Sequence, residues 1–278
     1  MEKGSSGTPA MPMPFGEVRR VFGSQKPLTS FAMDHLPIEE SDILMEEAGW
    51  LVLQKPAGLL TQAAPGVPSV QMALESLLAQ RPAAPQHPFV GLPHRLDRGT
   101  SGALLVARNA RTLRRFGDQF AHRLVEKTYL AMVEGDATGK TGRWEDHLRK
   151  IPDRPVGEIV TADHPEAKRA VLESRLCWTD RSRSLIELHL ETGRMHQIRI
   201  QCAARGLPVV GDWCYQATTR FGTPDSQGLW QQLALHAWRL GFRHPGNAKR
   251  ITAQAGLPTS WNVFPGDALQ KLGESQLP

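Results

Sequence analysis

Cysteine is scarce in this chain of 278 residues: Cys177, Cys202 and Cys214 are the whole set. Their number is odd and none are spaced as a CxxC pair, which excludes a disulfide framework and a cysteine-rich zinc site. They read as small buried residues of a reducing, cytoplasmic compartment. Long apolar runs are missing too. The longest, near Gly102 to Ala107, falls far short of the ~18 residues a membrane span needs. Met1 to Lys26 has no apolar stretch of the kind a secretory leader carries and is broken by Pro9, Pro12 and Pro14. No membrane partner is expected.

Several chemical signatures are absent as well. There is no HExxH and no GxGxxG, so a metalloprotease and a dinucleotide site lose their basic pattern. Gly135-Asp136-Ala137-Thr138-Gly139-Lys140-Thr141 looks like a phosphate loop. Its first glycine stands one residue too close to Gly139, and no long helical pattern follows, so it reads as a turn between strands. No metal and no nucleotide cofactor are expected.

Turn formers are plentiful: 25 glycines and 21 prolines exceed the combined average of roughly 12%. That favours many turns and short strands over a helical bundle. With 40% apolar and 22% charged residues, the mixture is that of an ordinary globular chain, not a coiled coil, a collagen or a wholly disordered one. The formal charge of +5 is modest but uneven. Residues 95–127 hold eight basic and three acidic side chains, residues 194–250 hold eight and two, and the remainder is net acidic. A phosphate-binding footprint has this form if the two segments meet in space.

Periodicity sets the expected elements. Ile43–Glu46 and Trp50–Gln54 read as strands about a turn at Ala48-Gly49, and Lys55-Pro56-Ala57-Gly58 ends the second. Ser69–Gln80 carries Val70, Ala73, Leu74, Leu77 and Leu78 at helical spacing. Ser101–Ala107 reads as a buried strand. Asn109 caps a helix that places Leu113, Phe116 and Phe120 on one face. Further strands are expected at Thr128–Val133, Arg169–Trp178, Ser184–Glu191 and Leu233–Phe242, with a helix at Arg194–Arg205 stopped by Gly206 and Pro208. Residues 1–36 form a Pro-, Gly- and Ser-rich segment expected to be mobile. One mixed domain spans 37–257, and 258–278 is a weakly patterned tail.

Two polar segments carry the chemistry. His94-Arg95-Leu96-Asp97-Arg98-Gly99-Thr100-Ser101-Gly102 stands directly before the buried strand. Arginines on both sides of Asp97 favour its ionised form, and Thr100 and Ser101 can fix the loop by local hydrogen bonds. Such a carboxylate suits a nucleophile or a base. The same residues also suit a surface salt-bridge loop. In Gly193-Arg194-Met195-His196-Gln197-Ile198-Arg199-Ile200, His196 and Arg199 share a face of the expected helix, which alone is equally an ordinary solvated face.

Together the two segments resemble the signatures of the RluA-type pseudouridine synthase family. Residues 94–102 match every fixed position of the first, His-Arg-Leu-Asp, two variable residues, Thr-Ser-Gly. Residues 193–199 match the second except at Met195, which stands where a Thr or Ser is usual, and Pro208-Val209-Val210-Gly211-Asp212 completes it. Lys55-Pro56-Ala57-Gly58, Lys127-Thr128-Tyr129-Leu130-Ala131 and Leu235-His236-Ala237 follow in the family's order. The likeness covers roughly residues 40–245.

The resemblance implies an α+β fold with a mixed, largely antiparallel central sheet flanked by helices. It implies an isomerase that converts uridines of ribosomal or transfer RNA to pseudouridine without a cofactor. On the same ground Asp97 is similar to the catalytic aspartate. Tyr129 is similar to the tyrosine that stacks on the base and takes the proton from carbon 5. Arg199 is similar to the arginine paired with the aspartate, and Leu235 to an apolar wall for the base. Lys55, His94, Arg95, Arg98, Thr100, Arg194 and His196 are the further candidates for substrate contact. Lys55 equally suits a turn, and His196 a structural role. Residues 1–40 are too few for the small N-terminal RNA-binding module of many relatives, so substrate choice is expected to rest on the catalytic domain, acting as a monomer. Residues 215–232 are a candidate RNA-contacting loop. Two rivals stand beside this reading. A former synthase that only binds RNA is opposed by the intact Asp97, Tyr129 and Arg199 set. A nucleoside hydrolase would need a second acid across the cleft.

Overall fold

The computed structural model describes residues 38–225 and 227–270. The N-terminal segment expected at 1–36 lies outside the described residues, as do the last eight positions of the expected tail.

Why Ser101–Ala107 reads as an unbroken apolar run is plain once its neighbours are seen. This strand, β3, is buried at every residue because both of its faces are covered. On one face Leu104 and Val106 join Leu51 and Leu53 of β2 (Trp50–Lys55) against Val70, Ala73, Leu74 and Leu78 of helix α1 (Val70–Ala79). On the other, Ala103, Leu105 and Ala107 join Trp50 and Val52 against Phe116 of α2 (Ala110–Ala121). Both helices start as their sequences direct. The Ser69 hydroxyl accepts from the Met72 N–H and the Asn109 side chain from the Thr112 N–H.

The remaining strands are β1 (Ile43–Glu47), β4 (Glu126–Glu134), β5 (Gly142–Lys150), β6 (Gly157–Val160), β7 (Lys168–Thr179), β8 (Arg183–Leu190), β9 (Leu235–Arg243) and β10 (Arg250–Gln254). They form one ten-stranded sheet in the order β1-β2-β3-β9-β4-β8-β7-β5-β6, with β10 paired to β9. All pairings are antiparallel except β3 with β9, which is parallel and touches only at Ser101–His236 and Gly102–Ala237. The expected mixed, largely antiparallel sheet is the one observed.

β9 is the hinge of this arrangement. One edge pairs with β4 from Leu235 to Gly241, while the other takes β3 at its start and β10 from Arg239 onward. Gly102 makes the β3–β9 junction possible. A Cβ there would lie 2.3 Å from the Ala237 carbonyl oxygen, and the backbone is left-handed with φ +114°. Beyond the junction, Ala131, Val133, Ile186 and Leu188 pack against Ile198 and Cys202 of α3 (Gln197–Ala204).

The opposite face of this half corrects the expected boundary at residue 257. Trp261, Phe264 and Ala268 are buried against Leu130, Met132, Leu185 and Trp238, so the described part of the expected tail belongs to the core. The Gly135–Thr141 stretch is a turn between β4 and β5, as its spacing indicates.

Candidate active site

Tyr129 packs against both the α1-side and the α3-side clusters, which places it at the seam between the two halves. A cleft of about 650 Å³ opens there, within the size range of small-ligand pockets. Asp97, Tyr129, Arg199 and Leu235 all line it, as do His94, Arg95, Thr100, Arg194 and His196. The two basic segments noted in the sequence therefore do meet, through Arg95, Arg123 and Lys127 from the first and Arg194 and Arg199 from the second.

The loop that carries Asp97 is held from below. The Lys55 ammonium is wholly buried and donates to the carbonyls of Pro56 (2.7 Å), Arg98 (3.2 Å) and Thr100 (2.8 Å). Burial pushes its pKa down to about 7, with Asp97 opposing and Arg98 adding to the fall. The Lys55 ammonium is thus engaged with the loop's own backbone, and its side chain does not line the cleft. Arg98 is likewise engaged with backbone. Its Nε donates to the Gly58 carbonyl at 2.9 Å, away from the cleft.

His94 lines the cleft but its Nε2 accepts the Leu105 N–H at 2.9 Å, and its ring stacks on Phe120. Burial, aided by Lys127, pushes its pKa down to about 3, so the ring is a neutral wall rather than a phosphate-binding cation. Thr100 is buried too, with its carbonyl taken by Lys55. Ser101 Oγ pairs with His236 Nδ1 at 2.8 Å, while His236 Nε2 faces the Ala255 carbonyl at 3.4 Å. Burial pushes His236 down to about 4, against the pull of Ala255. The neutral ring thus carries its hydrogen on Nε2 and accepts from the serine.

Across the cleft, the expected helix at Arg194–Arg205 begins only at Gln197. His196 precedes it in a left-handed conformation, φ +52°, so the i, i+3 helical face assumed for His196 and Arg199 does not exist. Both side chains nevertheless reach Asp97. Arg199 Nη1 stands 3.3 Å and His196 Nε2 3.8 Å from its Oδ2.

Arg199 has a stronger partner that the sequence reading quoted within a motif but gave no role. Asp212, 1% exposed, takes its Nε at 2.6 Å and Nη2 at 2.8 Å. This two-pronged pairing fixes the guanidinium plane. Burial opposes the charge on Arg199, but the hydrogen bonds and charge of Asp212, with Asp97 behind them, outweigh it and raise its pKa.

Tyr215 is the other residue missed. Its hydroxyl accepts the Gly157 N–H at 2.9 Å and lies 2.9 Å from His196 Nδ1, and its ring lies under the Arg199 guanidinium at 4.9 Å. The carboxylate beside Nε2 favours the tautomer with hydrogen there, so Tyr215 donates to Nδ1. Burial lowers the pKa of His196, with Asp97 opposing, which keeps it neutral. Tyr215 ends a three-residue 3-10 helix, Trp213–Tyr215, too short to give a periodic cue. Only its position three residues past Asp212 could have drawn notice.

Tyr129 and Leu235 form the apolar side. Tyr129 sits opposite Ala237 across a bulge in the β4–β9 ladder, with Leu235 opposite Ala131. Burial, then the charge of Asp97, raises the Tyr129 phenol pKa, so it stays protonated. Among the described residues, no group of three His, Cys, Asp or Glu side chains is placed to hold a metal ion. No helix of the described residues is long and apolar enough to cross a membrane.

A carboxylate paired with an arginine in a cleft that a tyrosine also lines, on this sheet, points to a class. The RNA pseudouridylate synthase family pattern matches residues 49–204. Over 228 residues the chain is 35% identical to an uncharacterized RNA pseudouridine synthase of Zymomonas mobilis, covering 81% of this chain and 98% of that protein. It is 32% identical over 262 residues to ribosomal large subunit pseudouridine synthase D of Xanthomonas campestris, covering 92% and 76%. It is 31% identical over 245 residues to ribosomal large subunit pseudouridine synthase C of Haemophilus influenzae, covering 85% and 70%. The fold matches that of human RNA pseudouridylate synthase domain containing 4 with a TM-score of 0.63, at 22% identity and over 84% of this chain and 93% of that one.

The chain belongs to the RNA pseudouridylate synthase family. Within it, the chain is of the RluA type, an isomerase acting on uridine in RNA.

Proposed function

We propose that Asp97 is the catalytic carboxylate of uridine isomerisation and that the substrate is ribosomal large-subunit RNA, the substrate in the names of two of the relatives. The observation that carries the reading is the Asp97–Arg199 contact of 3.3 Å inside the cleft, with Asp97 still 21% exposed to an incoming nucleotide. Asp212 already orients Arg199, so the carboxylate meets a cation whose position costs nothing further to organise.

In the reaction the bond from N1 to C1′ breaks and the uracil turns. C5 then bonds to C1′, losing its proton, while N1 gains one. Product and substrate are isomers, so no oxidant, reductant or phosphoryl donor enters the balance, and no cofactor is assigned. Asp97 either attacks C1′ or draws a proton from the neighbouring sugar carbon, and both need it ionised. Arg199 supplies the compensating charge. The target base reaches the cleft by flipping out of its stack. The neutral phenol of Tyr129 offers an aromatic face on which the freed base can turn, with Leu235 as the opposite wall. A phenol held protonated is better suited to stacking than to taking the C5 proton unaided. The enzyme is assigned to the cytoplasm and to action as a monomer.

Replacing Asp97 by Asn is expected to abolish tritium release from an unmodified large-subunit RNA transcript labelled at C5 of uridine, while filter binding of the same RNA persists. Full turnover by the Asn variant would end this assignment. Release from a transfer RNA transcript instead of the ribosomal one would redirect the substrate.

A further inference from the structure

Three cations from three separate elements converge on one wall of the cleft. Arg123 stands on the turn after α2 in a left-handed conformation, φ +57°. Lys127 comes from β4, and Arg194 from the segment after β8. The Lys127 ammonium donates to the Thr192 carbonyl at 3.4 Å, and a Cβ on Gly193 would lie 3.5 Å from it, so it sits over the backbone that leads into Arg194. Arg194 Nε is anchored on the Arg169 carbonyl at 3.0 Å.

No carboxylate compensates them. Among the described residues none of the three is within 4 Å of an acid. The two acids that line the cleft are committed elsewhere, Asp97 to Arg199 and Glu191 to Arg143. Arg123 and Arg194 act on Lys127 electrostatically, Lys127 acts on His94, and Arg95 and Glu191 line the same cleft. Burial, then Arg123 and Arg194, pushes the pKa of Lys127 down to about 8. Gathering like charges on a partly buried wall is unfavourable unless an anion completes it.

We propose that Arg123, Lys127 and Arg194 form a phosphodiester-binding site that seats a backbone phosphate beside the uridine in the pocket. The site rests on the reading that RNA enters this cleft. A phosphate between the three restores the charge that Lys127 loses on burial, so RNA binding takes up a proton whenever the free protein has released it. Affinity is therefore full below about pH 8 and falls as the pH rises above it.

The test uses the full chain and a pentauridylate RNA, with affinity measured from pH 6.5 to 10 and across salt. Wild type is expected to lose affinity above pH 8. Lys127→Arg, which stays charged, is expected to bind as wild type at pH 7 and to hold that affinity to pH 10. Lys127→Met is expected to bind several-fold more weakly at pH 7, with a salt dependence shallower by about 0.7 in log–log slope. Identical pH profiles for wild type and Lys127→Arg would overturn the site, and so would wild-type affinity in Lys127→Met or a wild type that does not bind the oligonucleotide. If Lys127→Met does not fold, the arginine profile decides. Tritium release from the ribosomal transcript is followed in parallel. Turnover with an indifferent Lys127 sinks the phosphate site alone, whereas binding without turnover in wild type sinks the assigned reaction.

Discussion

The two loops that meet at Asp97 are built in opposite ways. The 94–102 loop is held by backbone: carbonyls gathered on Lys55, an N–H on His94, and a glycine whose missing Cβ lets two strands touch. Its carboxylate, Asp97, faces the cleft beside Arg95 and the walls formed by His94 and Thr100. The 193–215 region is held by side chains, with Asp212 fixing Arg199 and Tyr215 meeting both His196 and the Arg199 guanidinium. A sequence signature can thus be mostly scaffold around one functional group, or mostly a functional network, and nothing in its residue types says which.

This contrast can be broken at either end. The largest effect is expected from Gly102→Ala, where backbone overlap at Ala237 adds to the left-handed φ. A loss of about 4 kcal/mol or more in urea unfolding is expected, with turnover lost alongside. A variant of wild-type stability would show that the junction yields easily. Next comes Asp212→Ala, which leaves a buried guanidinium with Asp97 alone. A loss of about 3 kcal/mol is expected. Turnover should fall further than the unfolded fraction explains, because Arg199 is free to leave its plane; proportionate losses would reduce Asp212 to a structural part. The smallest is Tyr215→Phe. Losing a hydroxyl shared by Gly157 and His196 is expected to cost about 1 kcal/mol, read as a small fall in melting temperature. A larger fall would mean that the second region is as brittle as the first.

Much of this was readable in advance. β2, β3, α1 and α2 follow from apolar spacing and from Ser69 and Asn109 as caps. What escaped has physical causes. β5 reads Gly-Arg-Trp-Glu-Asp-His-Leu-Arg-Lys, and only Trp144 and Leu148 turn to the core, so its charges hide the alternation. β6 has four residues and β10 five, too few for a period to show. Trp261 and Phe264 are anchors without a repeat. The helix start was placed three residues early because a left-handed non-glycine at His196 leaves no mark in composition. Asp97, Tyr129, Arg199 and Leu235 were found through motif likeness and do share the cleft. The backbone partners of Lys55 and Arg98 are not legible in sequence, because a lysine or arginine aimed at a carbonyl is spelled the same way as one aimed at phosphate.

The β3–β9 junction joins Ser101 to His236 across 135 positions, and that distance is also a delay. At roughly 5–20 residues per second of synthesis, about 7 to 27 s separate the making of the two partners. During that interval the Asp97 loop exists without the strand that braces it, and without Leu235. Contacts of such separation also form slowly in a free chain. The cleft is therefore among the last features to assemble, and a chain interrupted before β9 carries both sequence signatures while lacking the pocket they describe.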